Sequence, residues 1–118
     1  MQLLFFLNRA DPTACDRMFH MAKLAAEADD QVDIFLMDDA VVYADKTNPF
    51  HTDFATLTGD RPSDHLPRLQ ELDVYVHVCT PCAKARDVIQ ANLIENALFS
   101  NGHDYLNMVH EYDKVLTF

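Results

Sequence analysis

Two cysteines three residues apart, Cys79 and Cys82, follow the apolar run Val74 to Val78 and bracket the dipeptide Thr80-Pro81. Thr80 suits a helix N-cap. Pro81 suits the first helical position, where its missing N–H costs nothing. The pair therefore straddles the turn from a strand into a helix, with Cys79 at the strand's carboxyl end. The unpaired N–H groups and partial positive charge of the following helix favour thiolate over thiol, which makes Cys79 the candidate nucleophile. Cys82 is the candidate resolving thiol if the turn geometry permits a disulfide to Cys79; packing on the helix underside is an equal alternative for it. Arg86, on the same helix, adds at most a weak positive field.

Other reactive groups carry weaker signals. His77 is two residues from Cys79 on a strand and shares its face, so it can tune or hydrogen-bond the thiol, although a histidine satisfied inside a packed sheet is the commoner case. Asp38-Asp39 also follows a strand's end, where such pairs are more often solvated than functional. A zinc site from Cys79, Cys82 and two of His77, His103 and His110 lacks the second cysteine pair or closely spaced histidines of structural zinc. We expect no metal. With only Gly59 and Gly102 in the chain, no Gly-rich dinucleotide loop, phosphate-binding loop or nucleophile elbow can be assembled.

The elements that must position these groups alternate between strand and helix. Leu3 to Leu7 is a continuous apolar run, the pattern of a strand covered on both faces. Asp11 and Pro12 then open a helix that turns Cys15, Met18, Phe19, Ala22, Ala25 and Ala26 inward, so Cys15 reads as core. Val32 to Met37 and Val74 to Val78 are further strands. Between them lie a short helix over Ala40 to Ala44, a polar surface loop from Thr47 to Pro62, and a helix capped by Ser63. That last helix carries Leu66, Leu69 and Leu72, with Pro67 accommodated in its first turn. The helix after Cys79 runs towards Ile89. Leu93 to Phe99 is ambiguous between helix and strand. Asp104 to Tyr112 is helical with Leu106, Val109 and Met108 inward, and Lys114 to Phe118 closes the chain as a strand. The pattern predicts an α/β fold, a mainly parallel sheet of about five strands with helices on both faces. The length of 118 residues fits a single domain over 1–118.

Nine Lys and Arg against nineteen Asp and Glu give a net charge of −10, and the basic residues are scattered, so neither nucleic acid nor an anionic membrane is an expected partner. No apolar run approaches the roughly 20 residues of a membrane span, and no signal-peptide pattern opens the chain. Three cysteines, an odd number, do not read as a disulfide framework, and the expected location is cytoplasmic.

The segment Val76-His77-Val78-Cys79-Thr80-Pro81-Cys82-Ala83-Lys84-Ala85-Arg86 resembles the DsrE-like (DsrE/DsrF/TusD-type) sulfur-relay family, whose members often carry a valine-rich strand, a C-x-P-C or single cysteine, and a helix with an arginine. The resemblance extends to Leu93-Ile94-Glu95-Asn96-Ala97 and to Asp113-Lys114-Val115-Leu116-Thr117-Phe118. It implies a three-layer α/β/α fold, homotrimers or hexamers, sulfur donor and acceptor proteins as partners, and, in some members, transfer of sulfane sulfur through a cysteine persulfide, which needs no metal or organic cofactor. Cys79 matches the sulfur-carrying cysteine. The chain departs from the family pattern at Asp87 and Asn96, where relatives commonly have glycine.

The leading expectation is thus a sulfur carrier or sulfurtransferase-like protein acting through Cys79. A thiol-disulfide redox or sensor protein using Cys79 and Cys82 is the alternative, although too few residues follow Cys82 for a thioredoxin fold. A non-catalytic oligomeric binding module is the third reading.

Overall fold

The computed structural model describes residues 1–55 and 59–118. Five strands, β1 (Gln2–Leu7), β2 (Gln31–Leu36), β3 (Tyr75–Cys79), β4 (Ala97–Ser100) and β5 (Lys114–Thr117), form one sheet in the order β4-β3-β2-β1-β5. Every pairing is parallel. The helices are α1 (Pro12–Glu27), α2 (Phe50–Asp53), α3 (Pro62–Glu71), α4 (Thr80–Ala85) and α5 (Gly102–Glu111), with 3-10 segments at Asp38–Ala44 and Gln90–Asn92.

Topology distributes the helices. The chain steps one way from β1 to β4 and then doubles back to place β5 beside β1. Right-handed crossovers put helices of opposite step direction on opposite faces. Accordingly α1 and α3 pack together on one face, while α5 lies on the other with Tyr105 against Phe6 and Phe35. Leu4, Leu7, Phe19, Ile34, Phe35, Leu36, Val76 and Val78 are fully buried, and the interior strands need apolar residues on both faces for that reason.

Helix exits explain the scarcity of glycine. Asp29, Asp73 and Asp87, just beyond α1, α3 and α4, have φ of 69°, 56° and 56°, the left-handed conformation usually filled by glycine. The bonds Asp30 N–H to Ala25 (3.0 Å), Val74 N–H to Leu69 (2.9 Å) and Val88 N–H to Ala83 (3.0 Å) close each exit in the same six-to-one pattern. Aspartate tolerates this region better than most L-residues. Asp87, where the resemblance leads one to expect glycine, therefore keeps the turn. Asn96, the other departure, is buried and donates from Nδ2 to the Val74 carbonyl at 2.9 Å.

Several expectations need correction. The segment from Thr47 to Pro62 is not all surface loop: α2 interrupts it and buries Phe50, whose ring lies 4.6 Å from Tyr43 and 6.4 Å from Phe19. Residues 56–58 of that segment lie outside the described residues. Arg61, not Ser63, occupies the N-cap of α3, which puts Pro67 in the helix interior rather than its first turn. Cys79 itself caps α4, Thr80 is already helical, and α4 stops at Ala85 well short of Ile89. The segment Leu93 to Phe99 resolves into a turn entering β4. On α5, Leu106 is 55% exposed and Val109 36%. Met108 turns inward as its spacing predicts, but its companions in the inward stripe are Tyr105 and Tyr112, spaced at three and four residues.

Candidate functional site

Cys79 and Cys82 meet at the carboxyl end of β3, where ligands gather in parallel α/β sheets. Both are free thiols; Cys79 is buried and Cys82 half-buried at the rim. The neighbouring strand supplies the opposite wall, because β2 runs out into the 3-10 segment that opens with Asp38 and packs on α4. Asp38 is held at φ 51°, and its Oδ1 lies 3.9 Å from Cys82 Sγ. Arg86 fastens the two elements together, donating from Nε to Asp39 Oδ1 at 2.8 Å and from Nη1 to the Cys82 carbonyl at 3.1 Å. Asp38-Asp39 is thus a wall of the cysteine site, a role the sequence ranked below plain solvation.

Burial first, then a hydrogen bond to Cys79, push the Cys82 thiol above its ordinary range; the Asp38 carboxylate adds to the rise, while the Asp38 backbone opposes it. A negative thiolate there would face a carboxylate across a short gap, so Cys82 holds its proton near neutral pH. Cys15, fully buried on α1, is also raised, by burial foremost and then by Asp16 and Asp11. It is a core residue, as its helical spacing predicts.

His77 shares the face of Cys79 through the strand register but bonds elsewhere. Its Nδ1 is 3.0 Å from Ser100 Oγ, and its Nε2 is 3.7 Å from Asp33 Oδ1. Tyr112 OH donates to the other Asp33 oxygen. That bond, after burial, raises the tyrosine's pKa. Ser100, the strand partner of Cys79, accepts the Thr80 hydroxyl at its carbonyl at 2.8 Å, which ties the start of α4 to the end of β4. His77 is therefore a satisfied sheet histidine.

Asp33, Ser100 and Tyr112 escaped the sequence reading. The signal available was a lone carboxylate inside the apolar run Val32 to Leu36, on the same face as His77. No group of three or more His, Cys, Asp or Glu side chains among the described residues is clustered to hold a metal ion, and His103 and His110 stand on α5. No helix among the described residues is long and apolar enough to cross a membrane.

A strand-end cysteine with a second thiol one helical turn on, set on a five-stranded parallel sheet, defines a cysteine-centred α/β protein. The model of the DsrE/DsrF-like family matches residues 1–118, and the chain belongs to that family. It is 37% identical over 91 residues to the uncharacterized protein MJ0989 of Methanocaldococcus jannaschii, covering 75% of this chain and 72% of that one. It is 32% identical over 96 residues to the uncharacterized protein MK0008 of Methanopyrus kandleri, covering 75% and 69%. The crystal structure of the ychN protein from E. coli superposes with a TM-score of 0.80 at 21% identity over 99% of this chain and 98% of that one, a likeness of fold.

Proposed function

We propose that this protein relays sulfane sulfur through a persulfide on Cys79, as a sulfur carrier or sulfurtransferase-like protein. Membership of the DsrE/DsrF-like family supports sulfur relay in general. The observation that carries the finer reading is the placement of Cys79 as last residue of β3 and cap of α4, with Cys82 beside it as a proton-holding thiol.

The chemistry needs no cofactor. Cys79 thiolate attacks the terminal sulfur of a donor persulfide, forming a new S–S bond at Cys79 while the donor leaves as its thiolate. An acceptor nucleophile then takes the same terminal sulfur and Cys79 returns to thiolate. Without an acceptor, Cys82 can attack Cys79 Sγ instead, closing a Cys79–Cys82 disulfide and expelling hydrosulfide. The thiol-disulfide reading draws on this same contact. The Leu106 and Val109 side chains on the outer side of α5 support assembly into a homo-oligomer, to be read by light scattering.

Mass spectrometry after exposure to a persulfide donor tests the proposal. The expected product is one added sulfur, about 32 mass units, on the Cys79 peptide. Loading of Cys79→Ser to the same extent would overturn it.

A further inference from the structure

We propose that the trough between α5 and the β3–β4 part of the sheet docks an extended basic segment of a partner protein. Because α5 leans over β1 and β2, through Tyr105 on Phe6 and Phe35, the sheet face of β3 and β4 is left without a helix. What remains is a cleft of about 670 Å³.

Its charge is one-sided. Asp33, Glu95, Asp104 and Glu111 line it, and among the described residues no lysine or arginine does. Asp33 is already engaged by Tyr112 and His77, and Asp104 caps α5 at the Asn101 N–H, so Glu95 and Glu111, both exposed, are the carboxylates presented to an arriving cation. The same trough exposes apolar surface on Leu98, 39% exposed, and Tyr75, 49% exposed. An acidic end beside an apolar floor fits a segment that carries both basic and apolar side chains. The basic residues of this chain are scattered, so a second copy offers no basic run for this seat.

The shape selects a strand-like occupant. The trough follows β4 from Ala97 to Ser100, roughly 10 Å at strand rise, and α5 from Asp104 to Tyr112, about 12 Å at helical rise. That is the length of about four extended residues. β4 is an edge strand, so its outer backbone row can pair with an added segment. The acidic residues Glu95 and Glu111 mark one end, and Ser100, the strand partner of Cys79, marks the other. A segment anchored by its cations would run towards the cysteine end. The docking rests on charge and shape and holds whether or not Cys79 carries sulfur.

The test uses a fluorescein-labelled ten-residue peptide alternating Arg with Leu and Ser, a twin with Glu in place of Arg, and the intact protein. Fluorescence anisotropy should show binding of the Arg peptide only, weakening about tenfold as salt is raised. The double variant Glu95→Lys/Glu111→Lys should weaken binding at least about tenfold, whereas Asp53→Lys/Glu71→Lys, an equal change of net charge elsewhere, should not. Methyl shifts on titration should centre on Leu98 and Met108. The proposal is overturned by equal binding of the Glu peptide, by equal losses in the two double variants, by shifts centred elsewhere, or by no binding of the Arg peptide up to about millimolar.

Discussion

Cys82 Sγ stands 3.9 Å from Asp38 Oδ1, so the rim thiol of the CxxC pair faces a carboxylate delivered by the neighbouring strand. Asp38 raises Cys82 through its charge and lowers it through its backbone, with burial the largest cause of the rise. Asp38→Asn keeps the backbone contribution and removes only the charge. The Cys82 pKa should therefore fall, and its alkylation at pH 7.5 should speed up, followed by mass spectrometry of the Cys82 peptide. An unchanged rate would mean that the carboxylate does not hold the proton on Cys82.

If Cys82 resolves the persulfide on Cys79, removing its sulfur should lengthen the persulfide's life without preventing its formation. Cys82→Ser should load as fully as the parent, keep the added sulfur severalfold longer in the absence of acceptor, and release little hydrosulfide. Loss of two mass units, the signature of a disulfide, should appear in the parent alone. A variant that loses its sulfur as quickly as the parent would remove Cys82 from the resolving role.

Much of this site was legible because local chemistry and topology agree. Leu3 to Leu7 is a continuous apolar run, Val32 to Met37 and the strand ending at Cys79 are mostly apolar with one polar residue each, Asp33 and His77, and a parallel sheet buries such segments on both faces. Asp11 accepts the Ala14 N–H at 3.1 Å as its cap role requires. Other features depended on contacts far apart in sequence. Phe50 reads as part of a polar loop until Phe19 and Tyr43 cover it. Leu106 and Val109 share a helix with Tyr105 and Met108, and periodicity offers two stripes; the larger ring of Tyr105 reaches Phe6 and Phe35 and decides which turns in. Asp39 and Arg86 are 47 residues apart, and only the adjacency of β2 and β3 brings them to 2.8 Å.

Asp87 offers a backbone test. At φ 56° it holds the exit of α4 in the left-handed region, which costs most L-residues about 1–2 kcal/mol and aspartate less. Glycine relieves that cost but gains freedom in the unfolded chain, so Asp87→Gly should shift stability by no more than about 0.5 kcal/mol. Asp87→Val, β-branched and intolerant of positive φ, should lose about 1–3 kcal/mol. Urea midpoints measure both. A valine variant as stable as the parent would show that the exit relaxes to another conformation.

His51 makes stability depend on pH, with a sign fixed by its surroundings. The ring is 2% exposed, its Nε2 sits 2.8 Å from the Tyr43 carbonyl, and its Nδ1 is buried with no partner. The neutral form with the proton on Nε2 donates to that carbonyl and leaves Nδ1 as an unprotonated acceptor, whereas charging the ring would bury a cation out of reach of water. Burial accordingly lowers the His51 pKa against the opposing hydrogen bonds to Tyr43 and Asp45. His65 is lowered too, by burial first and then by Lys23. A histidine lowered on folding binds its proton more readily when unfolded, so its contribution is present above about pH 6.5 and is lost as pH falls through and below that value. Urea midpoints should drop between pH 7.5 and pH 5.5. His51→Gln retains an N–H for the Tyr43 carbonyl but does not titrate, and the drop should shrink in that variant and shrink further with His65→Gln added. A single variant with the parent's full pH dependence would place the titration elsewhere.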